Sequence, residues 1–108
     1  MSRQYRVDVT DRALKDLDRL RDLRESAVRD LIDLEQDPYK GHPLSGGLRG
    51  VRALEMSLGG VAYRAAYVVL PYKLVCLVFM VGPHEGFYAR AERRAKSLRK
   101  SSPWGNPF

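Results

Sequence analysis

The sequence predicts an α+β fold: two N-terminal helices packed on an antiparallel sheet of about four strands, followed by a basic C-terminal helix. Three observations predict it. Apolar residues recur at helical spacing between Asp11 and Gln36. Three strand-like runs then follow one another from Val51 to Val81, separated only by Gly59-Gly60 and by Pro71–Lys73. Last, Phe87–Lys100 returns to helical composition, with six Lys or Arg against one Glu.

The elements follow in order. Arg3–Thr10 alternates, with Tyr5, Val7 and Val9 on one side and Arg6, Asp8 and Thr10 on the other, the period of a half-buried strand. Thr10 or Asp11 suits a helix N-cap. Ala13, Leu14, Leu17 and Leu20 form the apolar stripe of a first helix ending near Leu23. A second helix runs from about Arg24 to Gln36 on Val28, Leu31, Ile32 and Leu34, and Asp37-Pro38 stops it. Pro38–Gly50 is a loop by its four Gly and two Pro. Its Gly46-Gly47 pair is no phosphate-cradling motif, because no helix follows. The strands Val51–Leu58, Val61–Leu70 and Leu74–Val81 come next. The third is apolar throughout, including the seven residues Val75–Val81, so both its faces are covered and it lies centrally. Gly82 and Pro83 are expected to end it.

A chain of 108 residues makes one domain with one hydrophobic core, here residues 1–100, and SSPWGNPF at 101–108 reads as a flexible tail. Trp104 and Phe108 in it are expected to pack loosely on the body. No run approaches the roughly 18–20 apolar residues of a membrane span. The N-terminal MSRQYRVDVT lacks the apolar centre of a secretory signal, so a cytoplasmic protein with no membrane partner is expected. Cys76 is single and lies in an apolar run, where it acts as a small hydrophobe. Two His and one Cys, widely separated, offer no metal-ligand spacing, so neither metal nor cofactor is expected. His42 is read as a loop bystander.

Charge is unevenly distributed. Residues 1–37 hold eight Lys or Arg against ten Asp or Glu, while residues 38–108 hold eleven against three. The second part therefore suits a polyanionic partner. Where the buried strand ends, His84, Glu85 and Tyr88 follow within a few residues, delivering an imidazole, a carboxylate and a phenol from a rigid support.

The stretches PLSGGLRGVRALEM, AYRAAYVV and VCLVFMVGPHEGFY, in this order, resemble the RelE/ParE superfamily of bacterial type II toxins. The resemblance runs from Tyr5 to about Ala95. It implies a small toxin held inactive by a cognate antitoxin in a toxin–antitoxin hetero-oligomer. RelE-type members cut messenger RNA in the ribosome; ParE-type members inhibit DNA gyrase and lack the nuclease residues.

RNA cleavage without metal uses the ribose 2′-hydroxyl as nucleophile and needs proton transfer plus a cationic contact to the phosphate. Arg64, in mid-strand, either faces solvent, pairs with Glu55 or holds an anion. The resemblance makes it the contact to the scissile phosphate. His84, where many relatives carry Arg, brings an imidazole, a side-chain type suited to general acid or base chemistry. Tyr88 matches a family tyrosine that stacks on a base or assists proton transfer. Glu55 matches a carboxylate that acts as base in some relatives, but Ser57 stands where a basic residue is usual. Arg49, Arg52, Arg90, Arg93 and Arg94 are assigned to RNA backbone phosphates, with an acidic antitoxin segment as the other candidate for some of them. The expected activity is thus a ribosome-dependent endoribonuclease. A gyrase inhibitor and a degenerate member, retaining only antitoxin binding and operator co-repression, remain the alternatives.

Overall fold

The computed structural model describes residues 4–101. Strand β1 (Arg6–Val9) leads into helices α1 (Asp11–Arg19) and α2 (Arg24–Ile32). Strands β2 (His42–Pro43), β3 (Arg52–Leu58), β4 (Val61–Leu70) and β5 (Val75–Pro83) follow, and α3 (Phe87–Ser101) closes the described chain. Single 3-10 turns at Arg21–Leu23, Asp33–Glu35 and Gly46–Leu48 join these elements.

The sheet has five strands in the order β1-β5-β4-β3-β2. It is mixed, not purely antiparallel: β1 runs parallel to β5, with Arg6 opposite Val75 and Val9 opposite Val78. Alternation in the sequence marks β1 as a strand but carries no information about its partner. The fifth strand, β2, has two residues and pairs His42 with Ala53, too short to leave a periodic signal in a Gly- and Pro-rich loop. Each predicted N-terminal helix is also shorter than its apolar stripe, because its last turn tightens into a 3-10 turn. Ser101, expected in the tail, is the last residue of α3. Trp104 and Phe108 lie outside the described residues.

Local chemistry explains the joints. Thr10 caps α1, its Oγ1 accepting from the Ala13 N–H at 3.2 Å. Gly59 and Gly60 have φ of +59° and +79°, the two positive values that a type I′ hairpin requires, and they join β3 to β4.

Helices cover both faces of the sheet. On one, Ala13 and Leu17 of α1 and Ala27 and Leu31 of α2 pack on Leu54, Met56, Ala65, Tyr67, Cys76 and Val78. On the other, Phe87, Ala91 and Ala95 of α3 pack on Ala66, Val68, Leu77, Phe79 and Met80. Phe87 is 1% exposed, and burying such a ring contributes about 1.5–3 kcal/mol, which anchors the start of α3. The all-apolar run of β5 is thus the centre of the molecule, buried on both sides as predicted.

Two features of β5 were not predicted. The strand continues through Gly82 and Pro83, which lie opposite Arg64 and Tyr63. The His84 N–H donates to the Ala62 carbonyl, so alternation turns the Pro83 nitrogen away from β4. There β1 has already ended, and a missing N–H breaks no ladder bond. The register also shifts: Tyr67 pairs with Val78 but Ala66 pairs with Met80, leaving Phe79 as the extra residue of a β-bulge. Phe79 and Met80 consequently face the same side.

Candidate functional site

The site is built on a cross-strand row. Glu55 of β3 lies opposite Arg64 of β4, which lies opposite Gly82 of β5. Side chains alternate along a strand. Leu54 and Met56 pack under α1 and α2, so Glu55 points to the α3 side. Ala65 and Tyr67 pack under α1 and α2 while Ala66 and Val68 face α3, so Arg64 also points to the α3 side. The bulge at Phe79 brings the even positions after it, Gly82 and His84, onto this same face. Without it the alternation of β5 would carry His84 to the opposite one.

Arg64 is held from two directions. Its Nη2 donates to Glu55 Oε1 at 3.1 Å, and its guanidinium lies 4.9 Å from the centre of the Tyr88 ring. Its side chain is 12% exposed, whereas that of Glu55 is 64% exposed. The Arg64 Nε is buried and has no hydrogen-bond partner among the described residues. Arg64 and the run His84–Ala89 line an open depression of about 390 Å³. His84 is exposed at its rim, and Tyr88 is 39% exposed. The four side chains singled out for chemistry therefore come from β3, β4, the turn after β5 and the first turn of α3, and they gather at one end of the sheet.

The five arginines assigned to phosphates divide differently. Arg52 alternates onto the face of Leu54. It donates to the carbonyls of Gly41 and Tyr39 at 2.9 and 3.1 Å, and its guanidinium lies over the Tyr39 ring. Arg94 ion-pairs with Asp16 and donates to the Phe79 carbonyl at 3.2 Å. Arg90 donates to the carbonyls of Glu85 and Pro83. These three have partners inside the fold and none lines the depression. Arg49 and Arg93 are exposed, on the loop before β3 and on α3.

Glu85, noted with His84 and Tyr88 at the strand end but given no role of its own, lines the depression. Its position beside His84 was the available signal. With Glu55 paired to Arg64 and Glu85 in the wall, the site carries two carboxylates around one clamped guanidinium. Tyr67, the second tyrosine of YRAAY, serves the fold. Its hydroxyl accepts from the Gly41 N–H at 2.9 Å and donates to the Pro38 carbonyl at 2.8 Å. Cys76 is fully buried, and burial pushes its thiol up to about 11, away from nucleophilic chemistry. Among the described residues no group of three or more His, Cys, Asp or Glu could hold a metal ion. No helix among them is long and apolar enough to cross a membrane.

Residues 7–92 match the family model described as ParE-like toxin of type II bacterial toxin–antitoxin system. The chain belongs to this family of toxins. Comparison with curated proteins finds no significant match. Among solved structures, the toxin is similar to a double arginine-to-alanine mutant of E. coli RelE in the free state. The TM-score is 0.69 at 25% identity, over 88% of this chain and 98% of that one. The RelE of the intact E. coli RelBE toxin–antitoxin complex gives a TM-score of 0.62 at 27% identity, over 75% and 98%. A chain of the RelBE2 toxin–antitoxin complex from Mycobacterium tuberculosis shares the fold, with a TM-score of 0.69 at 23% identity, over 78% and 95%. The toxin thus has a RelE-like fold, with α1 and α2 on one face of a mixed sheet and α3 on the other.

Proposed function

We propose that this toxin is a metal-independent endoribonuclease that cuts messenger RNA on the ribosome. The observation that carries the reading is that Arg64, His84 and Tyr88 line one open depression, with Glu55 hydrogen-bonded to Arg64 beside it. In the proposed reaction one of His84 and Glu55 takes the proton of the ribose 2′-hydroxyl. The freed oxygen attacks the adjacent phosphorus and the bond to the 5′-oxygen breaks. The other group protonates that leaving oxygen. The products are a 2′,3′-cyclic phosphate and a 5′-hydroxyl end, with no net redox change. Arg64 holds the phosphate through the N–H groups that Glu55 leaves unused. Tyr88 offers a base the ring face that Arg64 does not cover, and Arg49 and Arg93 contact the backbone farther out.

A cognate antitoxin is the proposed partner, since the E. coli and M. tuberculosis relatives were solved with theirs. The exposed cations of the second part of the chain suit an acidic segment of it.

One observation favours a second reading, a non-cleaving inhibitor of DNA gyrase. Arg52, Arg90 and Arg94 are bonded within the fold, and the resemblance puts a cation where Ser57 stands, so Arg64 is the one Lys or Arg lining the depression among the described residues. Primer extension on a translated message after induction separates the two. Cuts within ribosome-occupied codons, lost in Arg64→Ala and His84→Ala, support cleavage. DNA-damage signalling without cuts supports the gyrase target. Full toxicity in both variants removes the enzyme reading.

A further inference from the structure

We infer that Arg90 is a positioning residue: its guanidinium is the brace on which the turn bearing His84 is set, and it makes no contact with nucleic acid. The inference rests on the cleavage reading above for its effect on rate, and on geometry alone for its effect on the turn.

Arg90 lies one turn into α3, and its side chain reaches back over the helix start, the direction helical side chains take. Its Nη1 donates to the Glu85 carbonyl at 2.9 Å and its Nη2 to the Pro83 carbonyl at 3.1 Å. Those two carbonyls flank His84 on either side. The turn is fixed at its other side by the His84 N–H on the Ala62 carbonyl at 3.0 Å. Between these attachments the imidazole has little backbone freedom, although the turn is exposed.

Two glycines make room for the brace. A Cβ on Gly86 would stand 2.9 Å from Arg90 Nη1, and one on Gly82 would stand 3.3 Å from Nη2. Gly86 also has a φ of +67°, which disfavours any other residue. A lysine in place of Arg90 keeps the charge but supplies a single donor centre, which cannot hold both carbonyls in a fixed geometry.

The test compares Arg90→Lys with Arg93→Ala, a loss of charge on the exposed part of the same helix. Single-turnover cleavage of a translated message is measured at saturating toxin, and ribosome binding is measured across a salt series. Arg90→Lys is expected to bind as the wild type does, with the same salt dependence, while the saturated rate falls about 10- to 100-fold through misplacement of His84. Arg93→Ala is expected to weaken binding and flatten the salt dependence. Gly86→Ala, which crowds the brace from the turn side, is expected to reproduce the rate loss, and combining it with Arg90→Lys to add little further.

Wild-type cleavage by Arg90→Lys, or weakened binding with an unchanged saturated rate, overturns the inference. A readout independent of activity separates its failure from that of the cleavage reading. In Arg90→Lys, hydrogen exchange at the His84 amide is expected to accelerate at least 10-fold while the amides of β4 and β5 within the core keep their protection. Unchanged exchange at His84, with an unchanged imidazole NMR shift, overturns the brace even in a toxin that cuts nothing.

Discussion

Asp16 and Arg94, 78 positions apart, join α1 to α3 around the edge of β5 that β1 leaves uncovered. Asp16 is 7% exposed and also accepts from the Val81 N–H at 3.0 Å. Arg94 takes up the Phe79 carbonyl on the same edge. Two backbone groups that the parallel strand does not reach are thereby satisfied by one ion pair, at the level of the bulge that orients His84. Removing the cation leaves the carboxylate buried with Arg19 at 3.6 Å as its remaining charged neighbour. Arg94→Ala is therefore expected to destabilise the fold by about 3–5 kcal/mol. Urea unfolding measures it. RNA affinity lost at unchanged stability would instead return Arg94 to the phosphate-binding set.

Tyr67 ties the loop before β2 to the centre of the sheet. Its hydroxyl satisfies the buried Gly41 N–H and the partly buried Pro38 carbonyl, and a Cβ on Gly41 would stand 2.7 Å from the Ala53 carbonyl oxygen and 2.8 Å from the Tyr67 ring. Tyr67→Phe keeps the ring and strands both backbone groups. The expected loss is about 1–3 kcal/mol, seen as a lower urea midpoint with an unchanged slope. Gly41→Ala is expected to lose stability as well, because a backbone oxygen cannot move aside as a flexible side chain can.

How far the sequence reveals this molecule depends on range. β4 was legible to the residue, because Gly59-Gly60 and Pro71 bound it and each marks a turn for a local reason. The central place of β5 was legible from its unbroken apolar run. That same run hid the bulge, since without alternation no residue betrays a change of face at Phe79. The pairing of β1 with β5 was equally hidden, because it depends on where the helical hairpin returns the chain. At the candidate site, Arg64, Glu55, His84 and Tyr88 were proposed by chemical type, and sequence did not show that Arg64 pairs with Glu55 and lies over the Tyr88 ring. Arg52, Arg90 and Arg94 could not be told from Arg49 and Arg93, since what separates them is a carbonyl or carboxylate distant in sequence.

Cys76 gives a pH dependence with a definite sign. Burial raises its thiol from 9.0 to about 11, so the unfolded chain releases this proton first as pH rises. The stability associated with the neutral buried thiol is complete below about pH 9 and is lost as the pH climbs through about 11. Burial likewise raises Tyr67 above its usual 10.0, adding a fall in the same direction that begins near pH 10. Cys76→Ala is expected to flatten the first part of the decline in a denaturation series from pH 7 to 11. A thiol reagent at pH 8 is expected to label the wild type only as fast as the protein opens. Immediate stoichiometric labelling of the folded protein would contradict the burial argument.

Glu55 combines two effects that kinetics can separate. Its carboxylate holds Arg64 at 3.1 Å, and in the proposed reaction it also carries a proton. Glu55→Gln preserves shape and a hydrogen-bond acceptor for Arg64 but removes both the negative charge and the basic group. Removing the charge favours a phosphate beside Arg64, so binding of message-loaded ribosomes is expected to hold or to tighten. Losing a proton carrier is expected to slow cleavage at saturating toxin by about 100-fold, the lower end of what a positioned acid or base contributes. A drop in rate together with tighter binding is the pattern of an interaction that matters in the transition state and opposes the ground state. A rate equal to or above the wild type would leave Glu55 as a clamp on Arg64 alone and transfer both proton steps to His84 and Tyr88.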